Sequence, residues 1–215
     1  MAYVVWSSLE DKYHASRALV IGDVRPLKQF IRESFIGAGW NTGLRLPSEL
    51  VPKEARMQRG EKFYDVYNNF QIAPGVSKRF KDLVESIEPD VHQFFPIEVF
   101  RQDGVTPYGE PFWLMNICTR VDAICIEKSD MYQRGEDRGP LYDGDYPWYG
   151  RYVIKSMDYG TGPPRITIYK DRVVGRSMWC DYRHPVAHFF SEALMVGMRE
   201  RGMEGYAIKH VVNEI

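Results

Sequence analysis

The stretch from Phe70 to Met131 constrains the fold more than any other part of the chain. Ser77 stands where a helix N-cap is expected, because its hydroxyl can accept an amide hydrogen of the first turn. Phe80, Leu83, Val84 and Ile87 follow at i, i+3, i+4 and i+7, which defines one buried helical face. Lys78, Arg79, Lys81, Asp82 and Glu85 cover the other side, and Pro89 stops the helix. Phe94 to Phe100 then alternates, with Phe95, Ile97 and Val99 on one side of a strand. Phe112-Trp113-Leu114-Met115-Asn116-Ile117 is apolar on both faces, as a central strand must be. Arg120 to Glu127 reads as a third strand, with Val121, Ala123 and Cys125 on one face and Asp122, Ile124 and Ile126 on the other. No residue of this ordered stretch is poised for catalysis, which favours a protein that works by binding.

The rest of the chain arranges itself around that unit. Tyr3 to Trp6 is a short first strand, and Val24 to Phe35 a helix with Pro26 in its first turn and Leu27, Phe30, Ile31 and Ser34 at helical spacing. Gly37, Gly39, Gly43, Pro47 and Pro52 break the pattern as far as about Gly60, so the first 63 or so residues are expected to be an irregular subregion. Gln133 to Gly150 is loop by composition. Tyr152 to Ile154 and Arg165 to Tyr169 are strand candidates. Near the end, Ser191 caps a helix carrying Leu194, Met195 and Met198. Gly202 ends it in the left-handed conformation that glycine takes without steric cost, and Tyr206 to Val212 follows as a strand. The serine, helix, stop and strand order thus occurs twice. The expected class is α+β: mostly antiparallel sheet with a few packed helices, in a single domain over residues 1–215.

Composition narrows the function. With 215 residues and 44% hydrophobic content, the chain can bury a substantial core. Lys and Arg total 28 against 29 for Asp and Glu, a formal net charge of −1, whereas a general nucleic-acid binder is clearly basic. Cys118, Cys125 and Cys180 are too few and odd in number for a disulfide framework, which points to a reducing cytoplasm. Met1 to Arg17 carries Glu10, Asp11 and Lys12 and lacks a signal-peptide apolar core. No segment approaches the ~20 apolar residues that span a bilayer. No nucleic acid, membrane or cofactor is expected as a partner.

Two constellations could carry chemistry. Cys180, His184 and His188 form C-x3-H-x3-H, ligand types that zinc accepts. On one helix they would share a face, but Pro185 interrupts any helix through them, and no fourth ligand is evident. These residues are nonetheless the basis of the alternative reading, a small metal-dependent hydrolase or nuclease. For a nucleophile and base, Ser191 with His188, or Cys180 with His184, lacks the strand-turn-helix glycine context of an esterase. Gly160-Thr161-Gly162-Pro163-Pro164 lacks the Gly-Lys-Ser/Thr ending of a phosphate loop. Asp143-Gly144-Asp145 lacks the further carboxylates of a calcium loop.

The two-faced run Phe112 to Ile117, the Val121-Asp122-Ala123 run ending near Ser129, and the second capped helix closing on Arg201-Gly202-Met203-Glu204-Gly205 together resemble immunity protein family 11 of bacterial polymorphic toxin systems. The likeness covers roughly Tyr64 to Met131 and Met178 to Val212, and rests on apolar positions plus Asn116, Asp122, Ser129, Ser191 and Gly205. It implies a cytoplasmic protein that binds and neutralises one cognate toxin. From the residues themselves we further expect it to do so by occluding the toxin's active site or substrate groove, with no catalysis and no metal of its own. In that setting the connection holding Tyr142, Asp143, Asp145, Tyr146, Trp148 and Tyr149 is the expected contact surface. Tyr and Trp bury large areas at little entropic cost, and carboxylates, with Glu136 and Asp137 nearby, speed encounter with a basic partner. Trp40 and Arg45 are weaker candidates for the same role.

Overall fold

A computed structural model describes residues 1–7, 17–33, 40–41, 43–59, 62–66, 68–70, 72–133, 152–154, 165–184 and 187–215. Its strands in chain order are β1 (Ala2–Ser7), β2 (Arg17–Ile21), β3 (Glu54–Arg59), β4 (Asn68–Asn69), β5 (Pro74–Ser77), β6 (Gln93–Phe100), β7 (Phe112–Asn116), β8 (Arg120–Val121), β9 (Met131–Gln133), β10 (Tyr152–Ile154), β11 (Ile166–Ile168), β12 (Met178–Asp181), β13 (His188–Ser191) and β14 (Tyr206–Glu214). The α-helices are α1 (Arg25–Glu33), α2 (Lys78–Ile87) and α3 (Glu192–Glu200). Among the described residues eight strand pairings are antiparallel and four parallel.

The strands form a closed barrel and an open sheet. The barrel runs β2-β3-β6-β7-β5-β4, closing where Arg17 of β2 meets Asn69 of β4. The sheet runs β11-β14-β1-β13-β12-β8, and β9 with β10 makes a separate two-stranded pair. The alternation read in β6 holds: Phe95, Ile97 and Val99 are buried, while Pro96 and Glu98 face out. They fill the barrel together with Ala55, Met57, Phe63, Phe70, Phe112 and Leu114, and α1 contributes Leu27.

Strand β7 shows why a run apolar on both faces was required. Phe112 and Leu114 point into the barrel, whereas Met115 and Ile117 point outward into a second cluster. That cluster takes Phe80, Leu83 and Val84 from α2, Leu194, Met195 and Met198 from α3, and Tyr3, Val5, Met178, Cys180 and Phe190 from the open sheet. It therefore welds barrel, helices and sheet into one apolar mass. The sheet's opposite face is also buried: Val4, Trp179, Phe189 and Val212 pack against Ala123, Ile124, Ile166, Ile168 and Val173. Trp179 stacks on Phe189 with ring centroids 5.6 Å apart.

Helices α2 and α3 each start on a serine. Ser77 Oγ accepts from the Phe80 amide, and Ser191 Oγ accepts from the Leu194 amide, each at 3.3 Å. Gly202 takes φ +57° just beyond α3.

Two expectations need correction. The strand expected from Arg120 to Glu127 ends at Val121; the chain then turns into a 3-10 helix at Ile126–Lys128. Asp181 causes the turn. It is fully buried, and its carboxylate accepts the backbone amides of Ala123 and Ile124 at 2.8 and 2.9 Å. Those amides thus bond to a side chain instead of a neighbouring strand, and Ala123 and Ile124 are both buried. The N-terminal subregion is also less irregular than expected. It supplies β1 at the middle of the open sheet and β2 and β3 to the barrel, and β3 (Glu54–Arg59) lies inside the stretch read as unstructured.

Candidate functional site: an apolar groove on the barrel

Helix α2 covers only part of the barrel's outer face. Val76 and Met115 lie beneath it, and Lys81 reaches from it over the rings of Phe94 and Trp113, 5.9 and 6.0 Å from their centroids. Past Trp113 the described residues leave a groove open on this face. There Pro96 of β6 stands opposite Trp113 of β7 in register, and the pair forms the floor of an open groove of about 820 Å³. A proline is tolerated at 96 because β3 pairs with β6 only from Glu98 onward, so the missing amide costs no ladder bond on that side. Pro52, Pro107 and Pro111 line the walls. One side is built by the 3-10 turn Ser48–Leu50, and the adjoining segment is tied to β6 by the Glu98 amide donating to the Lys53 carbonyl at 2.8 Å.

The rim is charged. Glu49, Glu98 and Glu110 line the groove and are exposed, and among the described lining residues Lys53 is the one cation. Beyond Glu110 to Phe112 the groove adjoins a second depression of about 580 Å³. That depression holds Lys62, Arg79, Asp65 and Glu204, whose charges are matched: Lys62 to Glu204 at 3.2 Å and Arg79 to Asp65 at 3.5 Å.

The residues read as a contact surface, Tyr142, Asp143, Asp145, Tyr146, Trp148 and Tyr149, lie outside the described residues. The flanks of their connection are described: Gln133 of β9 pairs with Tyr152 of β10. Trp40 is half-buried and packs edge-on against Phe95 at 5.8 Å, so it closes the barrel core. Arg45 is held by the Val91 carbonyl at 3.0 Å.

The cysteine and histidines of the metal reading are only partly brought together. Cys180 of β12 and His188 of β13 are register partners, and His184 sits on the turn after β12. Cys180 is fully buried, burial pushes its thiol pKa up, and its Sγ bonds the Asn41 carbonyl. Burial also pushes the His188 imidazole down to about 4. Among the described residues no group of three or more His, Cys, Asp or Glu side chains converges as metal ligands. The three cysteines are free thiols.

A buried Ser-His-Glu cluster escaped the sequence reading, since Glu88, His92 and Ser177 carry no spacing signal. His92 Nδ1 accepts the Cys118 amide at 3.2 Å, which leaves Nε2 facing Glu88 Oε2 at 3.3 Å and Ser177 Oγ at 3.2 Å. Ser177 Oγ donates to Glu88 at 2.8 Å. The serine proton thus goes to the carboxylate, and the imidazole lone pair is taken by backbone, the reverse of a nucleophile-base relay. Burial works to raise the Glu88 carboxyl, but hydrogen bonds from His92, Ser177 and Arg176 outweigh it and hold it at about 2. The cluster fastens the end of α2 to β12.

The residues that carried the family resemblance are structural too. Asn116 is buried; its Oδ1 accepts the Asn41 amide at 3.0 Å and its Nδ2 donates to the Leu44 carbonyl at 2.7 Å. Asp122 pairs with Arg183 at 2.6 Å. Ser129 Oγ donates to the Cys125 carbonyl at 2.6 Å and accepts the Thr167 amide at 2.9 Å. These positions hold the scaffold.

The profile of the Immunity protein family (Imm11) matches residues 35–213, most of the chain. The chain belongs to that family. No match was found among curated proteins. Among the described residues, β1, β2 and α1 precede the matched span. No helix among the described residues is long and apolar enough to cross a membrane.

Proposed function

We infer that this protein neutralises a cognate bacterial toxin by binding it, in the cytoplasm of the cell that makes both, and that it performs no chemistry on it. The family match over residues 35–213 carries the reading. The geometry supports it in two ways. The barrel offers an open groove floored by Pro96 and Trp113, and the buried polar clusters are wired for structure. In this reading the barrel face and the connection bearing Tyr142, Asp143, Asp145, Tyr146, Trp148 and Tyr149 cover the toxin's active site or substrate groove. An interface of standard size, on the order of 1,600 Å² in total, would suffice. The aromatic residues anchor, and the carboxylates match a basic surface.

Co-expression with the toxin encoded beside this chain tests the reading. Growth is restored and the two proteins co-purify if it holds. Unrelieved toxicity without a complex counts against it.

A further inference from the structure

We propose that the barrel groove receives a cationic, extended segment of the toxin, an arginine- or lysine-bearing strand or loop whose apolar stems lie on Pro96 and Trp113. The inference rests on the binding reading above and adds the chemistry of the partner. The floor is apolar and the rim is acidic, with Glu49, Glu98 and Glu110 against Lys53 among the described lining residues. None of these glutamates joins an ion pair among the described residues. Elsewhere Asp23 is matched to Arg25, Asp82 to Lys78 and Glu204 to Lys62, whereas the exposed Asp90, Asp171 and Glu200 stand, like the groove's three glutamates, outside any ion pair among the described residues; what sets the groove apart is that its three carboxylates share one apolar depression. Glu98 also stands in register beside Glu54 on the neighbouring strand, and both face outward. Like charges directly opposite on adjacent strands are unfavourable, and a cation laid along this face relieves them.

The shape fits the same occupant. The groove runs on past Glu110 into the second depression, so it is long and open. Long cationic side chains lay methylene stems on apolar surface while the head group meets carboxylates, and a guanidinium also stacks on an indole face.

The test uses the full chain and the variant E49K/E98K/E110K, whose changed side chains are exposed, with circular dichroism confirming the fold. Association with the neighbouring toxin is followed by stopped flow at low and physiological salt. In parallel, hexa-arginine and hexaglutamate peptides are titrated into isotope-labelled protein. The proposal expects the variant to associate about tenfold or more slowly at low salt, with the salt dependence reduced. It also expects hexa-arginine alone to shift the Trp113 indole resonance. Equal rates for both proteins, or an indole that ignores hexa-arginine, overturn the proposal while leaving the binding reading intact. A wild-type chain that forms no toxin complex overturns the binding reading, and the peptide titration then decides the groove's chemistry alone.

Discussion

Gly205 shows how tightly single residues are specified. It takes φ +96°, and a Cβ there would lie 2.4 Å from the Val66 carbonyl oxygen. Both the backbone conformation and the contact exclude a side chain, so Gly205→Ala should destabilise by about 2 kcal/mol or more. Thermal melting checks this, with an expected drop of about 4–8 °C. Glu88 gives a pH signature. Its folded carboxyl lies at about 2, below its ordinary value of 4.5. The unfolded chain therefore binds more protons between those values, and stability is present above about 4.5 and lost as pH falls toward 2. Glu88→Gln should flatten the stability curve in that window and be less stable at neutral pH, because an amide nitrogen would face the Ser177 or Arg176 donors. Urea titrations at a series of pH values measure both effects. Had Glu88→Gln kept the wild-type slope, the cluster would not be ionised as described.

At the scale of elements, the legible ones were those whose signal is local. The α2 and α3 boundaries follow from Ser77, Ser191, Pro89 and Gly202, and β6 follows from alternation. Ser77 also donates to Asp65 at 2.7 Å, so Ser77→Ala removes a cap and a tie to the preceding segment. The expected cost is about 1–2 kcal/mol, read by chemical denaturation; no change would mean the cap is dispensable. The elements that the sequence concealed are held by distant partners. Strands β4 and β8 are two residues each and exist through pairing with β5 and β12. Strand β3 sits among glycines and prolines that suggested a loop. The stop after Val121 depends on Asp181, some sixty residues on, which no local pattern reveals. The groove was equally hidden: Pro96 and Trp113 meet across two strands, and Glu49 and Glu110 arrive from separate segments.

At the scale of the whole molecule, the apolar cluster shared by barrel, helices and sheet governs behaviour. A cluster common to all three layers leaves no seam along which one could unfold alone. We therefore expect one cooperative transition, with tryptophan fluorescence and far-ultraviolet dichroism superimposing. Two separated transitions would mean that barrel and sheet are independent. The strands that precede the family-matched span strengthen this expectation, since β1 lies between β13 and β14 and β2 closes the barrel. A rigid scaffold of this kind suits a protein whose surface does the work.

The central claim is that protection comes from occupying the toxin and not from altering it. Titrating this protein against a fixed amount of the neighbouring toxin, with toxin activity as the readout, separates the two. The account predicts inhibition that rises in proportion to added protein, is complete at equimolar amounts, and reverses when the complex is dissociated. Trace amounts that inactivate all the toxin over time, leaving it dead after separation, would contradict it.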